Sequence, residues 1–491
     1  MRFDEYRQHD AVALAELVAR KETTPEELLM CALARAEAIN PDLNAIVIPM
    51  HDIARARVND KLSGPLAGVP FLIKDIAQDY AGVPATSGSR ALRNHVPSTH
   101  AEYVVRALAA GLVIFGKTNT PEFALKGTTE PEYWGVTRNP WNRLHTTGGS
   151  SGGAAAAVAA GIVPMAGASD GGGSIRIPAS CCGLFGLRPS RGRVPAGPRF
   201  AEFWHGASSE HVITRSVRDS AVMLDALHGA DVGAPFQIRP PVRPYRDEVG
   251  RDPGRLRIGY STRSPLGLGV DPACVSAVES SVALLRSLGH EVEEAEPAID
   301  GQALAECFLT MYMGQTAANM AEAQRLTGAG EGEFELDTRA LALLGRALSA
   351  GEYTRSLFRW NDFARALGAF HRTYDLYLTP TVATPPARIG EQDTPAWQQA
   401  ALKPLLTLGL GKLLLHSGQV EKMASESLRR VPFTQLSNLT GTPSMSVPLH
   451  WTADGLPVGV QFVASFGDES TLFRLAAQLE QARPWFDRVP A

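Results

Sequence analysis

Two short segments of this chain hold side chains from which a hydrolytic site could be built. In ASDGGGSIRIPAS, residues 168–180, three consecutive glycines (Gly171, Gly172 and Gly173) precede Ser174. Missing side chains let backbone N–H groups converge on one point, where they can hold an oxyanion beside a nucleophilic hydroxyl. Arg176 follows, and its rigid fork of donors can pin the glycine loop through Asp170. A serine hydroxyl is a weak nucleophile and needs a base. No histidine lies in the segment, and the nearest upstream is His145. The other segment, GVPFLIKD at 68–75, carries Lys74 at the end of an apolar run. Burial there would disfavour the ammonium and leave an amine able to take a proton. Taken alone, each group has a plainer reading, and the plainer readings are favoured. Glycine clusters mark tight turns, and Lys74 can snorkel to solvent or pair with the neighbouring Asp75.

Two further patterns compete with these. Gly111 to Thr118, GLVIFGKT, fits a phosphate-binding loop by letter. Such a loop must follow a strand and free its backbone N–H groups, whereas here Leu-Val-Ile-Phe reads as the strand itself. Gly148 to Gly152, GGSSG, is formally a G-x-S-x-G elbow around Ser150, which requires a strand directly before it. The preceding NPWNRLHTT is polar and reads as a loop.

Taken together, the segments resemble the amidase signature family. The matching stretches are Gly68-Val-Pro-Phe-Leu-Ile-Lys74-Asp75, the loop TTGGSSGG at 146–153, and Asp170-Gly-Gly-Gly-Ser174-Ile-Arg176 with the CGLFGLRPSRGR that follows. Ser174 also follows Ser150 at the family's spacing. The match extends to GKTNTPEF (116–123), NPW (139–141), the Arg215/Asp219 region and GLPVGVQ (455–461); it is weak from about 300 to 430. This resemblance implies Ser174 as nucleophile, Ser150 in a cis peptide as proton relay and Lys74 as ultimate base. It also implies substrate contacts from Ala124, Gly171, Gly172 and Gly173. The implied chemistry is hydrolysis of an amide C–N bond through an acyl-enzyme, with no cofactor and no metal. Alternatives within reach are the amidase-like subunit of a tRNA-dependent amidotransferase and a non-catalytic scaffold. TTEPEYWGVTRNPW (128–141) and SIRIPAS (174–180) are most similar to bacterial hydrolases of aminohexanoate cyclic dimers, one branch of the family. Gly171 departs from the family, which usually has a larger residue there and so a tighter loop. Arg188 and Ser190 replace the usual Lys and Thr.

The surrounding elements read as α/β. Thr24, Pro25 and Glu27 form a helix start with a capping box. Strands are expected up to Lys74, over 112–118, 256–261, 290–297 and 374–381, and in a hairpin formed by 444–451 and 457–464. Helices are expected over 101–111, 154–161, 272–288 and 469–482. With the family resemblance, the expected fold is a large mixed twisted β-sheet covered by helices on both faces. We expect one domain over 1–491: an N-terminal helical segment (1–60), a catalytic core (61–228), a surface connection (229–255) and a C-terminal half (256–491) whose pocket walls come from about 300–430. The leucine-rich ALKPLLTLGLGKLLLH, 400–416, is expected either as a mobile or partner-covered element near the pocket mouth or as an ordinary core helix.

Composition narrows the partners. A net charge of −4 offers no field for nucleic acid. No apolar run is long enough to cross a membrane. Five cysteines without paired spacing, and the absence of a signal-like N-terminus, point to a reducing cytoplasm. The 12 histidines show no metal-ligand spacing. The expected partner is a small-molecule amide, with a homodimer possible.

Overall fold

The computed structural model describes residues 1–415 and 426–490. In chain order its strands are β1 (Ile46–Pro49), β2 (Pro70–Lys74), β3 (Val113–Thr118), β4 (Arg138–Asn139), β5 (Asn142–Thr146), β6 (Met165–Asp170), β7 (Phe185–Arg188), β8 (Ser209–Thr214), β9 (Arg257–Tyr260), β10 (Glu291–Glu294), β11 (Leu376–Pro380), β12 (Ser444–Trp451) and β13 (Pro457–Ala464). Eleven of them form one sheet in the order β1-β3-β2-β6-β8-β7-β12-β13-β11-β9-β10. It is mixed: β3, β2 and β6 run parallel, β6-β8-β7-β12-β13-β11 alternate, and β11, β9 and β10 are parallel again. Every residue of β2, β3, β6, β7, β8, β11 and β13 is buried, so this part of the sheet is covered on both faces.

The strands expected around Lys74, over 112–118 and in the C-terminal hairpin are present. β3 contains the Val-Ile-Phe of the formal phosphate-loop pattern, which is therefore strand and not loop. The helix Pro25–Leu43 has its full capping box at Thr24 and Glu27. One expectation needs correction: the stretch before Gly148 is a two-stranded ribbon, β4 with β5, and not a loop. The ribbon lies outside the main sheet, so no central strand leads into Ser150.

The leucine-rich stretch is also not an ordinary core helix. It forms two helices, Ala396–Thr407 and Gly411–Leu415, and residue 416 lies outside the described residues. Leu402, Leu406 and Leu414 pack with Leu336, Ala340 and Leu343 of the helix Leu336–Ala347. Leu408 and Leu413 remain 69% and 65% exposed, so among the described residues only one side of this layer is covered.

The helix Gly152–Ala159 is wholly buried, and its small side chains allow that position. A Cβ at Gly153 would lie 2.4 Å from the backbone nitrogen of Asn119. Its N-terminal turn is thereby pressed against the end of β3, directly beside the Ser150–Ser151 loop.

Candidate active site

β2 runs into the core and ends on Lys74, whose side chain is fully buried. Its Nζ lies 2.8 Å from Ser150 Oγ, 2.9 Å from Ser151 Oγ and 2.9 Å from Ser169 Oγ. All three partners are hydroxyls. A neutral amine has two N–H groups and one lone pair, so it can donate to two of them and accept from the third. Burial lowers the Lys74 pKa to about 7, against the opposing pull of Glu210 and Asp170. Asp75 does not neutralise it. Its carboxylate accepts from the Thr86 backbone N–H at 3.1 Å and from the Thr86 hydroxyl, and it faces Lys117 Nζ at 3.8 Å. The N-terminus of the helix Gly152–Ala159 follows Ser151 directly; its partial positive charge further disfavours an ammonium there.

The glycine loop leaves the end of β6 at Asp170. That carboxylate accepts from Gly173 N at 2.8 Å, Ile175 N at 3.2 Å, Arg176 Nε at 2.9 Å, Arg176 Nη2 at 2.8 Å and Asn438 Nδ2 at 2.9 Å. Burial alone would raise its pKa, but the Arg176 guanidinium and these donors hold it well below the usual carboxylate range. Arg176 therefore pins the loop through Asp170, as its spacing suggested. The same guanidinium reaches Thr434 O at 2.8 Å, Gln461 Oε1 at 2.7 Å and Asn438 Oδ1 at 2.8 Å. Thr434 Oγ1 in turn donates to Gly172 O at 2.7 Å.

Each glycine of the loop has its own steric reason. Gly173 has φ +119°, and a Cβ there would lie 2.5 Å from Thr434 Oγ1. A Cβ at Gly172 would lie 2.7 Å from Phe308 Cζ, and one at Gly171 would lie 2.7 Å from Trp204 Cζ3. The position where larger residues are usual is thus filled by an indole from another loop, not left slack. Because Gly173 N–H is committed to Asp170, the donors still without a hydrogen bond among the described residues are the N–H groups of Gly171, Gly172 and Ser174.

The structure brings Lys74 and Ser150 into direct contact, with the Gly149–Ser150 peptide in the cis form. Ser174, partly exposed, is tied to the same loop by its carbonyl, which accepts from Ser151 N at 3.3 Å. Ala124 sits in a left-handed turn (φ 61°), two residues before Lys126. The Lys126 carbonyl would be 2.7 Å from a Cβ at Gly149. Ala124 thus belongs to the segment that packs on the Ser150 loop, and no hydrogen bond joins it to Ser174.

The three histidines nearest to Ser150 and Ser174 in the sequence have other partners. His145 Nδ1 is 2.7 Å from Pro386 O, His205 Nε2 is 2.9 Å from Tyr353 Oη, and His211 Nε2 is 2.9 Å from Ser220 Oγ. The sequence reading missed Ser151 and Ser169 as partners of Lys74, and it missed Gln78 and Glu210 behind it. Ser151 was signalled by its place in GGSSGG and Ser169 by its place before Asp170; nothing local pointed to the other two. Among the described residues, no cluster of His, Cys, Asp or Glu could hold a metal ion.

A family model described as Amidase matches residues 27–473. The chain is 38% identical over 504 residues to a 6-aminohexanoate-cyclic-dimer hydrolase of Pseudomonas sp. (strain NK87), covering 98% of this chain and 96% of that protein. The structure of a 6-aminohexanoate cyclic dimer hydrolase complexed with substrate superposes with a TM-score of 0.90 at 35% identity, over 99% of each chain. A bacterial aryl acylamidase of the amidase signature enzymes gives a TM-score of 0.83 at 27% identity, over 98% of each chain.

Proposed function

Because this chain belongs to the amidase signature family and is an amide hydrolase, we propose that it cleaves its substrate through an acyl-enzyme on Ser174, with Ser150 as proton relay and Lys74 as base. The observation that carries this reading is the 2.8 Å contact between Lys74 Nζ and Ser150 Oγ in a site where burial lowers the lysine's pKa to about 7. In the first half-reaction Ser174 Oγ attacks the amide carbonyl. Its proton passes to Ser150, and the Ser150 proton to Lys74. The free N–H groups of Gly171, Gly172 and Ser174 hold the oxyanion. On collapse the C–N bond breaks, and the proton returns from Lys74 through Ser150 to the leaving amine. Water then attacks the ester by the same proton route and releases the acid.

One side of the glycine loop is aromatic. Trp204 meets Tyr312 edge-on with ring centroids 5.4 Å apart, and Phe308 stacks on Tyr312 at 5.5 Å. Such a wall suits an apolar acyl or amine chain. Together with the names of the relatives, it makes the cyclic dimer of 6-aminohexanoate the first substrate to test. A hydrolysis screen over aliphatic, aryl and cyclic amides, with Ser174→Ala as blank, tests the reading. Turnover of at least one class by the parent and none by the variant is expected; equal turnover by both would overturn it. The whole chain acts as one unit in this proposal. All five cysteines are buried free thiols, which supports work in a reducing cytoplasm.

A further inference from the structure

Behind Lys74 lies a carboxyl that the mechanism above does not use. Gln78 Oε1 accepts from the Lys74 backbone N–H at 2.7 Å, and Gln78 Nε2 donates to Glu210 Oε2 at 2.7 Å and to Ala168 O at 3.3 Å. Glu210 stands directly opposite Ser169 in the β6–β8 pairing. Directly opposed side chains share a sheet face with Cβ atoms about 5 Å apart, and Ser169 Oγ is one of the three hydroxyls on Lys74 Nζ. Glu210 thus touches the lysine's surroundings by two routes, one through Gln78 and one across the strand pair. It is 3% exposed, and its Oε1 is buried with no hydrogen-bond partner among the described residues. A carboxylate oxygen left so is costly unless a nearby cation compensates it or a proton sits on it.

We propose that Glu210 is a positioning residue of the active site, one that fixes Lys74 through Gln78 and sets how readily its Nζ holds the proton taken from Ser174. This rests on the Ser-Ser-Lys reading and deepens it. Burial raises the Glu210 pKa to about 7, against the Gln78 hydrogen bond and the attraction of Lys74. Burial thus shifts the amine down and the carboxyl up, toward each other, and the two behave as a pair. When Lys74 takes up the serine proton, the Glu210 carboxylate stabilises the ammonium without any proton leaving the site.

Among the other titratable groups around the pair, Asp170 adds a smaller pull on Lys74, and it is already ion-paired. Asp170, at the end of β6, is taken up by Arg176. Asp79, on the loop after β2, faces Arg199 at 3.9 Å. Tyr103, from the helix Glu102–Ala109, donates to His211 O at 2.9 Å and is held neutral by burial. His211, next to Glu210 on β8, is kept uncharged by burial at about 3. Glu202, across the cleft that Glu210 borders, faces His205 at 3.8 Å.

The test reads labelling of Ser174 by a fluorophosphonate, and amide turnover, across pH in the full-length protein. In the parent both should rise through one acid limb, and Lys74→Ala should remove that limb. If the limb survives in Lys74→Ala, the Ser-Ser-Lys reading fails, whatever Glu210 does. Glu210→Gln keeps an acceptor for Gln78 but removes the charge. Its limb should move to lower pH by ~1 unit, with kcat down ~10-fold and KM unchanged. Glu210→Asp, which keeps the charge, should hold the limb near the parent's. A Glu210→Gln limb that coincides with the parent's, beside a normal Lys74→Ala result, would overturn this proposal alone. So would an equal displacement in Glu210→Asp, since packing rather than charge would then be at work. Should the glutamine variant not fold, infrared titration of the parent against Lys74→Ala decides. One buried carboxyl band should move to higher pH when the lysine is lost, and the absence of any such band would overturn the proposal.

Discussion

The indole of Trp204 occupies the space that a side chain at Gly171 would need, with Cζ3 and Cε3 only 2.7 and 2.8 Å from a Cβ built there. Gly171→Ala must therefore push the indole or the loop. Its kcat/KM should fall by about tenfold or more, because small misplacements at a reacting centre are costly. Trp204→Leu should recover part of that loss in the double variant. A double-mutant cycle on kcat/KM checks it, and strict additivity of the two effects would show that the residues are not coupled.

On the proposed mechanism activity needs Lys74 neutral, and burial lowers its folded pKa to about 7. Turnover should therefore be full above that pH and be lost as pH falls through it. A histidine base would titrate at ~6.5, too close for the position of the limb to separate the two. The variants separate them: Lys74→Ala should lose both the rate and the limb, and Lys74→Arg should stay inactive, because a guanidinium remains charged. A pH profile of kcat/KM for the parent and both variants is the measurement.

Ser174→Ala should abolish turnover and fluorophosphonate labelling while leaving the thermal unfolding midpoint close to the parent's. Peptide mapping of the labelled parent should place the adduct on Ser174. An adduct on Ser150 or Ser151 would reverse the roles assigned to the serines.

Arg176 and Asp170 are both wholly buried, and each satisfies the other. Arg176→Gln leaves the carboxylate unpaired and should destabilise the fold by about 3–5 kcal/mol. Arg176→Lys should recover little, since an ammonium cannot reproduce the forked contacts to Asp170, Thr434, Gln461 and Asn438. Denaturant unfolding of the three proteins measures this.

In the leucine-rich layer, Leu406→Ala should cost about 2 kcal/mol, because Leu406 packs on the helix Leu336–Ala347. Leu408→Ser should change stability by no more than ~0.5 kcal/mol. Equal effects of the two in thermal unfolding would contradict the one-sided packing seen here.

The parts of the site legible in the sequence were those encoded within a few residues of one another. An apolar run ending in lysine gave β2 and its buried terminus, and GGSSGG and GGGS gave the two serine loops. The Asp170–Arg176 clamp was readable for the same reason, being six positions long. What could not be read depends on strand register and on distant chain. Glu210 meets Ser169 only because β8 pairs antiparallel with β6 in one particular alignment. Trp204 replaces a side chain at 171 from a loop more than thirty positions away in the chain. The β4–β5 ribbon was missed because its residues are polar and its strands too short to show alternation. The region from about 300 to 430 carried no motif, yet its helix Gly301–Thr327 supplies Phe308 and, stacked on it, Tyr312 beside the glycine loop.

Arg176 has a further consequence for how the molecule comes to be active during synthesis. Its guanidinium is braced by Thr434, Asn438 and Gln461, and the sheet beside the loop closes only when β12 pairs with β7. A growing chain has Lys74, Ser150 and Ser174 outside the ribosome long before these supports are made. Until then nothing holds the guanidinium against Asp170 from the far side, and the Gly172 carbonyl has no hydroxyl from Thr434. On the proposed mechanism, a nascent polypeptide that ends before residue 461 thus carries its reactive groups without the full set of contacts that brace Arg176.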